Sequence, residues 1–508
     1  MHTQERTTER PPIVAVVGHI DHGKSTLLDY IRKSKTAEAE AGGITQHLSA
    51  YEALHTTPAG IERRITFLDT PGHAAFEAMR SRGLEAADVA ILVVSAEDGV
   101  KPQTVEAIKL INSAHIPFIV ALTKVDKPAA NVERAKMSLL EHGVYLEGLG
   151  GDIAFVAVSS KTGEGIPELL DLILLAAELE GLSADSEMPG SGLVIEAHVD
   201  QKRGNTATLI VKDGSIESGE FVISGESYAP VRIMENYVGK NIKVALPGSP
   251  VRIVGFSTLP EVGAMWHAVE SKKEAESETT NARIERLTQE KKRPNVSEKP
   301  AEDTIHIILP LVIKTDFSGT GDAVLHELKK IPEDPRMEVR VVGRSVGHVS
   351  ENDVRLVGAS TPAGIIVGFN TKVDNDARQL ADRLGVTIAT FDIIYKLTEW
   401  LESELQKRHP RENMEERIGL AKVLKVFSNQ QGRIVLGGRV EEGTLSDGQA
   451  VKLLRQGEEV GRGEIVSLQT QKTSVKKIEN GKEFGTMLKM SAEPAPGDHI
   501  EAFEVVFK

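Results

Sequence analysis

The stretch PPIVAVVGHIDHGKST limits what this chain can fold into more than any other. It sets Gly18-His-Ile-Asp-His-Gly23-Lys24-Ser25 between a β-branched apolar run and the helical stretch Gly23 to Lys33, the position a phosphate loop requires. Glycines allow backbone N–H groups to wrap phosphates, and the N-terminus of the following helix favours anions. Lys24 supplies positive charge and Ser25 a hydroxyl for Mg2+. The nucleotide-binding candidates here are Gly18, His19, Asp21, His22, Gly23, Lys24, Ser25 and Thr26.

Three further motifs each follow an apolar run. Asp69-Thr-Pro-Gly72 follows ITFL, which puts a carboxylate at a strand tip, facing a metal-bound water, and leaves the Gly72 N–H for a γ-phosphate. Thr45, within AGGITQH, lies between the two motifs, where a mobile loop can close its hydroxyl onto the same ion. The metal candidates are therefore Ser25, Thr45 and, through water, Asp69. Thr123-Lys124-Val-Asp126 reads the base: a carboxylate accepts from guanine N1 and N2, a donor pair adenine lacks, so Asp126 implies GTP, and Lys124 lies along the base plane. Ser159-Ser160-Lys161, after IAFVAV, brings a backbone N–H to guanine O6.

The 508 residues suffice for three to five domains. Residues 1–10 read as a disordered tail. From 11 to 182 apolar runs alternate with helical stretches, which predicts a parallel α/β sheet. Residues 190–268 break into short alternating runs punctuated by DG, SG and PGS, the pattern of a small antiparallel β-barrel. Residues 269–300 are dense in Glu and Lys and predict a solvated helix and a charged linker. Residues 301–391 return to strand–helix alternation as an α/β/α sandwich. The connecting helix, 392–416, carries Ile394, Leu397, Leu401 and Leu405 at helical spacing, which favours local packing over a long signalling lever. Residues 417–508 predict a second barrel. The fold class is thus multidomain α/β and β.

Composition excludes several chemistries. With no cysteine there is no disulfide, thiol nucleophile or Cys-ligated metal. No apolar stretch reaches the roughly 18 residues of a membrane span, and MHTQERTTER has no signal-peptide core, so a cytoplasmic protein without a membrane partner is expected. The net charge of −14 argues against general nucleic-acid coating and against DNA as a partner. Local RNA contact stays possible: residues 417–508 carry 14 Lys or Arg against 12 Asp or Glu.

In this order, GHIDHGKST, DTPGH and TKVD resemble the translational GTPases, and AGGITQHLSAY, FLDTPGHAAFEAMRSRG, EDGVKPQTVEAI, SENDVRLVGAS and IIVGFN are similar to the bacterial translation initiation factor 2 family. The likeness runs from about residue 11 to 508, without that family's long N-terminal extension. It implies a GTPase domain, β-barrel, α/β/α domain, connecting helix and C-terminal barrel. It further implies a monomer that binds the small and large ribosomal subunits, recruits formylmethionyl initiator tRNA, promotes subunit joining, and hydrolyses GTP before leaving. By this resemblance His73 orients the attacking water, with Ile20 and Ile44 as an apolar gate beside it, an economy that suits phosphoryl transfer. The sequence departs from the family at Thr123, usually Asn. In the C-terminal barrel the Gly-Cys pair reads Gly437-Gly438, Glu-Cys-Gly reads Glu483-Phe484-Gly485, and the basic-aromatic loop reads Gln469-Thr-Gln-Lys472. Lys472, Glu483, Phe484, Gly485 and Gly438 are the tRNA-binding candidates, with Phe484 expected to offer a ring face to the methionine thioether or the terminal adenine; the alternative is that Phe484 fills the barrel core and the domain has lost aminoacyl recognition. Two alternatives stay open: an elongation-type tRNA carrier, disfavoured by the α/β segment at 301–391, and a nucleotide-switched ribosome-binding scaffold with incidental turnover.

Overall fold

The computed structural model describes residues 8–33, 45–292, 307–332, 337–408, 413–430, 433–471 and 473–507. It divides into two compact units, Met1–Lys407 and Arg408–Lys508.

The first unit opens with β1 (Thr8–Glu9), which pairs with β8 (Ser183–Ala184). Between them a six-stranded sheet runs in the order β3-β4-β2-β5-β6-β7, from β2 (Ile13–Gly18), β3 (Ser49–Thr56), β4 (Glu62–Asp69), β5 (Val89–Ser95), β6 (Phe118–Thr123) and β7 (Phe155–Ala157). The period of two in β2 sends Val14 and Val16 to one face, against Leu27 and Leu28 of α1 (Lys24–Arg32) and Leu169 and Ile173 of α5 (Ile166–Leu179). Ala15 and Val17 go to the other, against Leu84 of α2 (Glu77–Ala86), Ile108 and Ile111 of α3 (Pro102–Ala114) and Leu139 of α4 (Val132–Glu141). The sheet is not wholly parallel as expected: β3 runs antiparallel to β4. A short turn at Thr57–Ile61, with Gly60 at φ 79°, joins the two, and a hairpin so tight permits no other direction.

The strands β9 (Ser191–Asp200), β10 (Gly204–Asp213), β12 (Phe221–Ser224), β13 (Ser227–Pro230), β14 (Met234–Asn236), β16 (Pro250–Val254) and β17 (Met265–Val269) form one antiparallel sheet, with β11 (Ile216–Glu217) and β15 (Val244–Ala245) as a separate ladder. The sheet wraps around Trp266, whose indole N–H donates to the carbonyls of Leu193 and Ile210, both at 3.2 Å. Asp88, just before β5 of the six-stranded sheet, fastens this barrel: it pairs with Arg10 at 2.7 Å, with Lys212 of β10 at 3.2 Å, and accepts from the Ile13 N–H at 2.9 Å.

After α6 (Lys272–Lys292), a parallel sheet in the order β19-β18-β20-β21 is built from β18 (Ile307–Thr315), β19 (Met337–Val346), β20 (Ile365–Phe369) and β21 (Thr387–Phe391). Val312 and Ile366 face α8 (Glu351–Gly358) and α9 (Asn375–Leu384). Leu311 and Ile313 face α7 (Ser318–Leu328) and α10 (Ile394–Arg408). Ile394, Leu397, Leu401 and Leu405 are all buried in this second layer, so the α10 stripe is spent on local packing. Ala75, Phe76 and Met79, from the domain of the six-stranded sheet, belong to the same core.

The second unit is a closed barrel. Its ring runs through β22 (Asn413–Gln430), β29 (His499–Phe507), β24 (Ala450–Arg455), β25 (Glu458–Thr470), β28 (Glu483–Met490) and β23 (Arg433–Ser446), which pairs back onto β22, with β26 (Thr473–Ser474) and β27 (Lys477–Glu479) as short additions. Among the described residues no helix is long and apolar enough to cross a membrane.

Candidate functional site

At the C-terminal tips of β2, β4 and β6 a cavity of about 380 Å3 opens. Ile20, Asp21, Gly23, Lys24, Ser25, Thr26, Thr45, Gly72, His73, Thr123, Lys124, Asp126, Ser160 and Lys161 line it, as does Lys127, which the sequence did not single out. Gly18, His19, His22, Asp69 and Ser159 are not in the lining.

Gly18 is sterically required, and Gly72 is closely packed. A Cβ on Gly18, at φ 150°, would lie 2.4 Å from the Val93 carbonyl oxygen. One on Gly72 would lie 2.5 Å from Lys24 Nζ and 3.1 Å from the Ile20 nitrogen. Lys24 is thereby confined, and its ammonium donates to the carbonyls of Gly18 at 2.9 Å and His19 at 2.8 Å. Burial pulls the Lys24 ammonium below its ordinary value, against the pull of Asp69. Burial pushes the Asp69 carboxyl above the usual carboxylate range, with Lys24 holding it back. His22 is driven down to about 4 by burial and is neutral at pH 7.

Ser25, Thr45 and Asp69 converge. The hydroxyls of Ser25 and Thr45 are 3.0 Å apart, and Thr45 Oγ1 donates to Asp69 Oδ2 at 3.3 Å. Asp69 Oδ1 is buried without a partner. Two hydroxyls and a carboxylate with a spare oxygen form a donor set that fits a hard cation.

On the base side, Thr123 Oγ1 donates to the His22 carbonyl, tying the loop after β6 to the phosphate loop. Lys124 holds φ 61° and its ammonium lies 3.8 Å from Asp98. Ser159 is buried and donates to Asp126 Oδ1 at 2.8 Å, so it orients the carboxylate from behind and does not face the cavity.

His73 stands at the cavity edge, with Nδ1 accepting from the Ala75 N–H at 3.1 Å. Burial lowers its pKa, so the ring is neutral at pH 7. Arg80, fully buried, donates to the carbonyls of Pro71 and His73 and pairs with Glu106. It pins the segment that carries His73, and one charged residue inside a helix gave no sequence signal of that. The Ile20 N–H donates to Gln103 Oε1 at 3.0 Å. Ile44 lies outside the described residues.

In the C-terminal barrel Phe484 does not offer its ring outward. It is buried in the core, and a Cβ on Gly438 would lie 2.8 Å from its Cζ. The period of two puts 484 and 438 on the inner face as a cross-strand pair, so the volume missing at 438 is filled from the neighbouring strand β28. Gly437 and Gly485 pair on the outer face, where Gly485 has open space. Phe427, 63% exposed, lies beside Gly437, an aromatic surface the sequence did not mark. Glu483 is exposed opposite Arg439, and Lys472 lies outside the described residues.

The Elongation factor Tu GTP binding domain family matches residues 9–178, and the Elongation factor G domain 2 family matches residues 189–268. A phosphate loop on this sheet, followed by such a barrel, makes the protein a translational GTPase, an enzyme that hydrolyses GTP. The Translation-initiation factor 2 family matches residues 279–402. Translation initiation factor IF-2 of Rubrobacter xylanophilus is 40% identical over 99% of this chain and 72% of its own. That of Clostridium novyi is 40% identical over 98% and 73%. The chain belongs to the translation initiation factor IF-2 family. Among solved structures, a GDP-bound aIF5B from Aeropyrum pernix is 27% identical over 97% of this chain and 92% of that one, with a TM-score of 0.48.

Proposed function

We propose that this initiation GTPase binds Mg2+ and GTP in the cavity at the strand tips and uses His73 to orient the attacking water. The observation that carries the reading is that Lys24, Thr45, His73 and Asp126, from four separate segments, line one cavity. Lys24 and the phosphate-loop N–H groups hold the phosphates, while Asp126, steadied by Ser159, accepts from guanine. Ser25 and Thr45 would ligate Mg2+ directly and Asp69 through water; the ion, when bound, neutralises phosphate charge. A neutral His73, its Nδ1 already accepting, holds its proton on Nε2 and orients water through that N–H.

Family membership supports partners beyond the nucleotide: the small and large ribosomal subunits and formylmethionyl initiator tRNA, whose acceptor end we assign to the C-terminal barrel, for a cytoplasmic monomer promoting subunit joining. With Phe484 committed to the core, the outer face at Gly437, Gly485 and Phe427 is the surface for that end.

The test is GTP turnover with assembled ribosomes. His73→Ala should leave nucleotide and ribosome binding near normal and slow stimulated hydrolysis at least about tenfold, because ordering water acts on the barrier and not the ground state. Equal turnover overturns the assignment.

A further inference from the structure

His73 touches more than its own loop. Its ring lies 6.2 Å from Phe76, edge-on, and 5.9 Å from Tyr395 in the first turn of α10, tilted by 42°. Both distances are within the range of aromatic pairs. The second cavity loop reaches the same place: Gln46, next to Thr45, donates from Nε2 to the Asp392 carbonyl at 3.0 Å. The start of α10 therefore meets both segments that the γ-phosphate side of the cavity depends on.

Packing does not account for Tyr395. Ile394, fully buried with Ala75 and Phe76 in the shared core, anchors the turn, while Tyr395 is 43% exposed. The buried part of this ring lies outside the apolar stripe of α10 and stands beside the His73 imidazole, whose Nδ1 is held by the Ala75 N–H.

We propose that Tyr395 is a positioning residue for His73, backing the imidazole against the nucleotide cavity so that the start of α10 takes part in setting the rate of hydrolysis. The proposal rests on the reading of His73 given above. An imidazole held by the Ala75 N–H alone has more room to tilt than one also backed by a ring, and a misplacement of about 1 Å can cost up to about a hundredfold in rate. Tyr395 touches neither substrate nor reacting atoms, so its effect must pass through His73.

The experiment uses the full chain with assembled ribosomes and compares wild type, His73→Ala, Tyr395→Ala, Tyr395→Phe and the double alanine variant. Tyr395→Ala should lower kcat about three- to tenfold with KM and nucleotide affinity unchanged, and with a wild-type unfolding midpoint. Tyr395→Phe should restore wild-type turnover, since the ring and not its hydroxyl makes the contact. In the His73→Ala background the Tyr395 substitution should have no further effect. A Tyr395→Ala protein that turns over like wild type, or faster, while His73→Ala is impaired overturns the proposal and leaves the His73 reading standing. Losses that multiply in the double variant place Tyr395 elsewhere and also overturn it. An unimpaired His73→Ala protein brings down the reading itself.

Discussion

The carboxylate of Glu196, on β9 of the first barrel, accepts the backbone N–H of Gly319, in α7 of the α/β/α domain, at 3.3 Å. The same oxygen accepts from Ala197 N–H at 3.1 Å, and the other, Oε2, is buried without a partner. Burial pushes this carboxyl up to about 8 from its ordinary 4.5, so between those values the folded chain holds a proton that the unfolded chain has released. Stability therefore falls as pH rises through that window, at most about 1.4 kcal/mol per pH unit. Glu196→Gln keeps the acceptor and removes the charge. Thermal unfolding should show it more stable than wild type at pH 8, by up to about 5 kcal/mol, and nearly equal at pH 4.5. A constant difference across that range would show that Glu196 does not titrate there.

Base selectivity should follow Asp126. Asp126→Asn loses two charge-assisted hydrogen bonds of about 1.5–3 kcal/mol each, so GTP affinity should fall by several kcal/mol while xanthosine triphosphate, with an oxo group at C2, gains a donor. Ser159→Ala should weaken GTP binding less and keep the preference for guanine, because it frees the carboxylate without removing it. Titration of both variants with the two nucleotides decides this, and unchanged GTP binding in Asp126→Asn counts against the base site.

Phe484 and Gly438 should be coupled in stability. Phe484→Ala in the core should cost about 3–5 kcal/mol, read as faster hydrogen exchange in β23 and β28 of the full chain, with initiator tRNA affinity per folded molecule unaltered. Gly438→Ala should be costly alone and less so with Phe484→Ala, though the Lys422 carbonyl oxygen, 2.6 Å from the added Cβ, prevents complete rescue. Phe427→Ala should do the opposite: little loss of stability and weaker tRNA binding, by about 1–3 kcal/mol if a base stacks there. Weakened binding in Phe484→Ala alone would return the ligand to the inner face.

Thr45 and Gln46 should report the nucleotide. With GDP the ligands on the γ-phosphate side are lost and Thr45 is released, so amide exchange at residues 45–47 should be faster than with a non-hydrolysable GTP analogue. Gln46→Ala, lacking the bond to the Asp392 carbonyl, should raise exchange at the start of α10 in the GTP-analogue state. Equal rates in both nucleotide states would remove the case for a switch.

What the sequence disclosed is what local chemistry determines. The phosphate loop, Asp69, Asp126 and Ser160 each follow an apolar strand at fixed spacing, so their placement at the strand tips was legible. Residues that act from a distance were not: Arg80 holds the His73 segment through carbonyls seven and nine positions away, and Tyr395 meets His73 only because two domains share one core. The direction of β3 depended on the turn that holds Pro58 and Gly60, a local signal outside the strand–helix alternation, and the fate of Phe484 on which face the barrel register assigns it. Alternation told that a barrel was present but not which of Gly437 and Gly438 looks inward.

The core shared by Ala75, Phe76 and Met79 with Leu309 to Leu405 has a bearing on how the protein is made. Domains fold as they leave the ribosome, N-terminal first. When the last strand of the GTPase sheet has emerged, the turn behind His73 still lacks its cover, which begins to form with β18 and α7 and is complete only once α10 has been synthesised. The complete surroundings of this turn are thus withheld from a nascent chain, and a truncated product that ends before α10 carries an intact phosphate loop without the Tyr395 ring beside His73.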